Sequence, residues 1–286
     1  MKLIHFDKNI LFVFNEYLQG VPQNNKFSST LLHNLIGTYL CVGYKNYKFI
    51  DTITSGNSLY DNILKEDFDY LVFVCEGLHP DQDFVEKLYK KGKNTVLCWF
   101  DSVYYNYSHE HKNHCLNLTL DIGKGNYKDN ILGMWTPQDS RLYYYNKDII
   151  KDIDISFMGN FRKCGRNDII DLIRNNGINI SSFGGRGGNH DNLTHEEYAS
   201  FHRRSKISLS SNENHCKGRN FETIQCNSLL MANGQKFIEE YFEPEEECVI
   251  FNETNVVDKV KYYLENEEER KHIAFCGYQR MINEYS

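Results

Sequence analysis

Apolar runs alternate with amphipathic helical patterns along most of this chain, and this alternation restricts its fold more than any other feature. Runs such as YLVFVC (70–75) and TVLCWF (95–100) are continuously apolar, without the alternation of a half-exposed strand. Continuous apolar strands separated by helices are typical of parallel sheets that are covered on both faces. The pattern therefore predicts an α/β fold.

The same pattern predicts the positions of the elements. Candidate strands are 10–15, 70–75, 95–100, 116–120, 131–135, 155–159, 178–183, 206–210, 228–232 and 248–251. Candidate helices are 28–40, 81–91, 166–175, 194–203, 219–226, 256–265 and 267–283. Periodic structure is interrupted at 136–152, which predicts an interdomain connection and domains at 1–150 and 151–275. The last residues, 276–286, end a helix that is long enough to return toward the first domain.

Composition is that of an ordinary globular protein. The 286 residues are 41% hydrophobic and 25% charged, and this length suits two domains. The nine cysteines are scattered without a C-x-x-C pair, which favours reduced, mostly buried thiols and a cytoplasmic setting. No apolar run approaches 18 residues, so no membrane span is expected.

Charge is unevenly distributed although the net charge is only −7. Residues 159–220 contain ten Lys or Arg against six Asp or Glu, whereas residues 239–269 contain twelve acids and two bases. A basic segment beside an acidic one suits a small polyanion such as a nucleoside diphosphate. It does not resemble a broad face for duplex nucleic acid.

The stretch KGRNFETIQCNSLLMA, from residue 217, indicates a helix followed by an apolar strand. The amides and the dipole at such a helix start favour a phosphate group. Arg219 adds a planar, permanently charged fork to the same anion. Glu222 is repelled by a phosphate and is expected to accept hydrogen bonds from a neutral diol such as ribose. Phosphate and diol recognition on one helix predicts a nucleotide-sugar site.

This stretch, together with YFEPEEECVIF and VKYYLENEEERKHIAFCGYQRM, resembles the C-terminal half of group-one glycosyltransferases, in a branch related to the CgeB proteins. The upstream DISFMGNFRKCGRNDIIDLIRNNGINISSFGG is similar to the first strand, glycine turn, helix and second strand of the family's donor domain. The resemblance covers residues 151–282. It implies a GT-B fold, in which two Rossmann-like domains with parallel sheets face a central cleft.

The resemblance also implies a donor site in the second domain and an acceptor site in the first. The loop after residue 158 would face the diphosphate, although a solvated basic loop is an equally good interpretation of its sequence. The predicted donor-binding residues are Gly159, Arg162, Lys163, Arg166, Lys217, Arg219, Asn220 and Glu222.

Two departures from the family pattern are visible. Many group-one enzymes have two glutamates eight positions apart, and Asn214 occupies the place of the first. The usual small residue and glycine after the helix are replaced by Cys226 and Asn227. Because Asn is the commonest alternative to glycine at a left-handed helix end, the turn is expected to persist.

An inverting transferase also needs a base, and three carboxylates follow predicted strands of the first domain. Glu16 follows strand 10–15, Asp101 follows 95–100 and Glu76 follows 70–75, at the edge where α/β proteins bind ligands. Each carboxylate has the alternative role of capping the next helix. Glu16 and Asp101 are the preferred catalytic candidates.

The sequence therefore predicts a hexosyl- or pentosyltransferase that moves a sugar from a nucleotide-sugar to an acceptor hydroxyl on a glycan, lipid-linked, protein or modified-DNA acceptor. No metal and no cofactor are expected, because charged side chains and helix amides can stabilise the leaving diphosphate. The alternatives are a phage-type transferase acting on DNA bases and an inactive nucleotide-binding protein.

Overall fold

The protein consists of two structural units. The computed structural model describes residues 8–14, 46–75, 79–99, 112–120, 125–128, 130–159, 165–183, 193–211, 216–233 and 238–285. Among these residues the first unit ends at Trp135 and the second begins at Thr136. The division lies at the start of the predicted connection and before the expected domain limit at residue 150.

The first unit is built on a seven-stranded sheet. Its strands are β1 (Ile10–Phe14), β2 (Tyr47–Asp51), β3 (Tyr70–Cys75), β4 (Asn94–Trp99), β5 (Leu116–Leu120), β6 (Gly125–Lys128) and β7 (Ile131–Met134). Their order is β2-β1-β3-β4-β5-β7-β6, and all neighbours are parallel except β6 and β7. Its described helices are α1 (Thr52–Ser55), α2 (Leu59–Lys65) and α3 (Gln82–Lys90).

The continuously apolar strands lie at the centre of this sheet, as their sequence requires. The β3 side chains from Leu71 to Cys75 are all buried. Helix α3 covers one face because its apolar residues Phe84, Val85 and Leu88 share one side. Asp81 fixes the start of α3, since its carboxylate accepts a hydrogen bond from the Phe84 amide at 2.7 Å.

The second unit has a fully parallel sheet of five strands. These are β8 (Ile153–Met158), β9 (Ser181–Phe183), β10 (Ser205–Ser210), β11 (Leu229–Asn233) and β12 (Val249–Phe251), in the order β12-β11-β10-β8-β9. Its helices are α4 (Arg166–Asn175), α5 (His195–Arg204), α6 (Gly218–Gln225), α7 (Val256–Glu265) and α8 (Glu267–Arg280). The predicted α/β class with parallel sheets is confirmed.

Lys151, a partly buried lysine, joins the C-terminal ends of α5 and α6. Lys151 Nζ donates to the carbonyl oxygens of Arg203, Ser205 and Cys226 at 3.1–3.2 Å, and to Ser228 Oγ at 2.7 Å. A cation is favourable at a helix C-terminus, where carbonyl groups lack helical partners. Burial nevertheless lowers the pKa of Lys151 to about 8. The C-terminal ends of α5 and α6 are therefore linked through the ammonium group of Lys151.

The end of α6 follows the sequence expectation. Asn227 adopts a φ of 53° directly after the helix, in the left-handed region. Asn tolerates this conformation better than other residues with a side chain. The chain can therefore turn into β11 without the glycine that the family pattern has here.

The cysteines have the environment that the sequence predicts. The described cysteines are free thiols, and six of the seven are buried. Burial raises the pKa of Cys98, Cys115 and Cys226 to about 12, so these thiols stay protonated and unreactive. No helix within the described ranges is long and apolar enough to cross a membrane.

Candidate functional site

The strand order of the second unit brings Gly159 and the start of α6, both predicted to bind the donor, to one edge of the sheet. From β8 the chain moves to β9 on one side, then crosses to β10 on the other side of β8. The order therefore reverses between β8 and β10, and open α/β sheets bind ligands at the C-terminal edge of such a point. Gly159 follows β8 at this edge, and α6 follows β10.

Gly159 and Arg219 lie against each other at this edge. Arg219 Nη1 donates a 2.6 Å hydrogen bond to the carbonyl oxygen of Met158, and its guanidinium lies 5.8 Å from the Phe157 ring. A Cβ atom on residue 159 would collide with Nη1 in its present position. Gly159 also has a φ of 143°, which favours glycine. The absent side chain is therefore what lets the guanidinium lie over the end of β8.

The start of α6 is unusual among the helices of the structure. Its N-cap residue is Lys217, which is extended and whose ammonium group cannot accept a hydrogen bond. By contrast, Asp81 caps α3 and Thr194 caps α5 with side-chain oxygens. Among the described helices of at least eight residues, α6 is the one with neither a side-chain cap nor an acid in its first turn. Its first turn is thus suited to an external anion.

Two further predicted donor residues are engaged within the protein. Arg166 is 3% exposed, and its Nε donates to the carbonyl oxygen of Ser211 at 2.9 Å. Asn220 is fully buried, and its side-chain amide contacts Cys216 Sγ at 3.3 Å. Both residues connect α4 or α6 to the segment that follows β10. In this structure their contacts stabilise the edge of the site.

Glu222 lies one turn after the start of α6 and is buried in the second unit. The residue is 2% exposed, and its Oε2 accepts a hydrogen bond from the Tyr198 hydroxyl at 3.1 Å. Tyr143 lies close enough to interact electrostatically with this carboxylate, which contributes to the raised pKa of its hydroxyl. His202 Nε2 lies 3.6 Å from Oε2. A buried carboxylate needs such donors, because removing its charge from water costs several kcal/mol.

The ionisation of these neighbours follows from burial. Burial, and then the charge of Glu222, raise the pKa of Tyr143 and Tyr198 well above the usual value, so both hydroxyls remain donors. Burial, and then the charge of Arg219, lower the pKa of His202 to about 3. His202 is therefore a neutral imidazole at physiological pH.

The sequence did not predict Tyr143, Tyr198 or His202 as site residues. Tyr198 and His202 are four positions apart on α5, which places them on one face. That spacing is a signal, but many structural helices share it. Gln138 was also missed; its Nε2 donates to the carbonyl oxygens of Thr136 at 2.8 Å and Gly218 at 3.3 Å. It connects the start of the second unit to the first residue of α6.

Several predicted residues lie outside the described part of the chain. Arg162 and Lys163 of the basic loop are among them, as are Asn214 and the candidate bases Glu16, Asp101 and Glu76. Of the elements that precede the bases, β1 and β3 are adjacent and β4 follows β3. Within the described ranges, no three His, Cys, Asp or Glu side chains gather as a metal site. These assignments stay predictions.

A family model described as "Glycosyl transferase-like" matches residues 162–286. This segment contains α4, β10, α6 and most of the predicted donor residues. The match agrees with the predicted glycosyltransferase function, whereas the CgeB-related branch stays a prediction. No curated protein matches the chain in sequence.

Solved structures share the fold over almost the whole chain. The Anabaena protein HepE, in complex with UDP and glucose, has a TM-score of 0.59 at 11% identity, covering 96% of this chain and 95% of HepE. Sucrose-phosphate synthase from Thermosynechococcus elongatus has a TM-score of 0.60 at 7% identity, with 96% and 94% covered. A DNA-modifying β-glucosyltransferase has a TM-score of 0.60 at 14% identity, also with 96% and 94% covered. The chain has the GT-B fold of glycosyltransferases.

Proposed function

We propose that this protein of GT-B fold transfers a sugar from a nucleoside diphosphate donor to an acceptor hydroxyl without a metal ion. Uridine diphosphate is the first donor nucleotide to test, because HepE is known in complexes with UDP and with UDP-glucose. The acceptor class, the type of sugar and a cytoplasmic location belong to the same proposal.

The observation that carries this proposal is the uncapped start of α6 beside Arg219. Lysine at the N-cap supplies no capping acceptor to the first-turn amides, and Arg219 adds a permanent positive charge. The glycine at the end of β8 leaves the space in which the Arg219 guanidinium lies. A diphosphate has both the negative charge and the acceptor atoms that this place requires.

The chemistry follows from where charge develops during transfer. As the bond between sugar and diphosphate breaks, negative charge grows on the departing phosphate oxygens. Arg219 and the α6 amides would stabilise this charge, and preorganised electrostatics of this kind usually contribute more to catalysis than any other effect. In an inverting reaction, a carboxylate of the first unit, with Glu16 preferred, would take the proton of the acceptor hydroxyl.

Glu222 is assigned to the ribose of the donor. A carboxylate offers about four acceptor positions, so the hydrogen bond from Tyr198 is compatible with bonds to a diol. Glu222 and the proposed diphosphate site lie on the same helix. This helix would therefore hold the ribose contact and the diphosphate contact at a fixed distance from each other. The basic loop residues Arg162 and Lys163 are proposed to contact the diphosphate as well.

A thermal-shift experiment tests donor binding. The uridine, guanosine, adenosine, cytidine and thymidine diphosphates are added separately, and one is expected to raise the melting temperature. Ligand at 100 times its Kd stabilises a protein by about 2.7 kcal/mol, which corresponds to a few degrees at this size. The absence of a shift with all five would contradict the proposal.

Slow hydrolysis of the donor tests whether the protein is an enzyme. Hydrolysis without acceptor, unaffected by EDTA, is expected from a metal-independent transferase. Binding without hydrolysis or transfer would instead support an inactive nucleotide-binding protein, an alternative prompted by Asn214 in place of the family's first glutamate. Strict dependence on magnesium would contradict the metal-free mechanism.

A further inference from the structure

The buried environment of Glu222 is more elaborate than a single contact with the donor requires. Three side chains from two separate segments converge on this carboxylate: Tyr143 from the chain after the unit boundary, and Tyr198 and His202 from α5. Tyr143 and His202 are buried with it, and Tyr198 is partly buried. Together with Glu222 and Thr223, they form a carboxylate cradle.

Thr223 determines how His202 presents its ring. Thr223 Oγ1 and His202 Nδ1 are 3.1 Å apart, and Nε2 has no hydrogen-bond partner among the described residues. If Nδ1 held the proton, the Nε2 lone pair would face the Glu222 oxygen at 3.6 Å and repel it. A hydroxyl that donates to Nδ1 instead leaves an N–H at Nε2. The neutral ring then directs the positive end of its dipole at the carboxylate.

The cradle holds Glu222 in place before any ligand arrives. A free glutamate loses rotamer entropy when it is fixed in one conformation. Here that cost is met on folding, because Tyr198 and His202 lie on one face of α5 and approach α6 together. Rigidity of this kind increases affinity by lowering the cost of binding. It also restricts the positions from which a hydroxyl can donate to the carboxylate.

We propose that Tyr198 and His202 are positioning residues that orient Glu222 toward the donor's ribose and thereby set a preference for ribonucleotides over deoxyribonucleotides. This inference rests on the proposed function and extends it from the carboxylate to the side chains behind it. The two residues act through Glu222 and do not touch the donor.

Calorimetric titration measures the preference directly. The probes are UDP, 2′-deoxy-UDP and 3′-deoxy-UDP, and the readout is the ratio of their dissociation constants. Wild-type protein should prefer UDP about tenfold or more over at least one deoxy form, since a hydrogen bond to a charged group is lost. Tyr198→Phe should reduce this ratio severalfold by weakening UDP binding while leaving the deoxy forms nearly unchanged.

A matched control exists elsewhere in the same unit. The Tyr263 hydroxyl donates to Glu245 Oε2 at 3.2 Å, so Tyr263→Phe removes the same kind of hydrogen bond outside the cradle. This variant should keep the wild-type ratio. Thr223→Val is the second cradle variant, in which the ring of His202 loses its hydroxyl partner; it too should lower the ratio and provides a test if Tyr198→Phe fails to fold.

The outcomes separate the inference from the function on which it rests. If the wild-type protein binds UDP and both deoxy forms equally, the assignment of Glu222 to ribose is wrong, and the inference is overturned with it. If UDP does not bind, the titration is made with the nucleoside diphosphate that raises the melting temperature and with its deoxy forms; if none of the five raises it, the proposed function itself is overturned. If Glu222→Gln abolishes the preference but Tyr198→Phe and Thr223→Val retain it, only the inference is overturned. Lower melting temperatures with an unchanged ratio would show that the cradle serves folding alone.

Discussion

The guanidinium of Arg219 lies where a side chain of residue 159 would be, so the glycine after β8 and the arginine on α6 depend on each other. The two residues are distant in sequence and follow adjacent strands of the sheet. Their contact turns two weak sequence signals, a glycine after a strand and an arginine on a helix, into one structural feature. Predictions about the proposed site therefore begin with this pair.

Gly159→Ala should displace Arg219 and weaken diphosphate binding about tenfold, because the new methyl group and the guanidinium cannot occupy the same space. Calorimetric titration with UDP measures the effect. Gly177→Ala is the matched control, since Gly177 also has a positive φ but no atom lies near its added Cβ. Equal losses of affinity in both variants would attribute the effect to backbone strain.

Arg219→Ala should lower the affinity for UDP by about tenfold or more, the usual effect of losing a hydrogen bond to a charged group. The affinity for uridine, which lacks phosphate, should change little. Arg174→Ala removes an arginine from α4 that instead donates to Ser182 Oγ, and it should leave both affinities unchanged. If Arg219→Ala weakens uridine as much as UDP, the arginine does not recognise phosphate.

The parts of this architecture that the sequence predicted are those with strong apolar signals. The helices α4 and α7 have the predicted bounds, and β3 and β5 were also located correctly. The strands β2 and β6 were missed because both lie at sheet edges, where YKFID and GNYK lack a continuous apolar run. The helices α1 and α2 were missed because they are short.

The proposed site was predictable to the extent that it is local. Arg219 and Glu222 share one helix with the lysine that starts it, so their spacing carried the signal. The cradle was not predictable, because Tyr143 and Tyr198 reach Glu222 only through packing of elements far apart in sequence. Nothing in the sequence near Tyr143 distinguishes it from Tyr144 and Tyr145, which are exposed.

Glu16→Gln should reduce turnover by about 10²–10⁴ while leaving UDP affinity unchanged, since a general base acts in the chemical step. Rates of sugar transfer and calorimetric binding are measured on the same preparation. Asp101→Asn gives the comparison for the second candidate. Near-normal turnover of Glu16→Gln would exclude Glu16, and a product that retains the donor's anomeric configuration would remove the need for such a base.

Lys151 should make the free energy of unfolding vary with pH in the alkaline range. Its pKa is about 8 in the folded protein and near 10.5 when unfolded, so between these values the unfolded state binds more protons. The free energy of unfolding should therefore rise with pH in this window, by at most about 3 kcal/mol from this group. Lys151→Met should lack this contribution.

Urea denaturation of both proteins at pH 8 and pH 10 measures the difference. Buried thiols such as Cys226 titrate in the opposite sense, because burial raises their pKa to about 12 and favours the protonated folded state at high pH. The contribution of thiols that do not interact with Lys151, such as Cys98, is common to both proteins and cancels on subtraction. The pKa of Cys226 is lowered by the lysine, so the difference between the two proteins reports Lys151 together with its coupling to that thiol. If the two proteins have the same pH dependence, folding does not lower the pKa of Lys151.

The side chain of Gln138 gives the start of the second unit a mechanical link to the proposed donor site. Its amide is attached at one side to Thr136, the residue with which the second unit begins, and at the other to Gly218, with which α6 begins. A displacement of Thr136 at the unit boundary would be transmitted to Gly218, the first residue of α6, through the side-chain amide of Gln138. If α6 binds the donor as proposed, this amide group would couple donor binding to the position of Thr136.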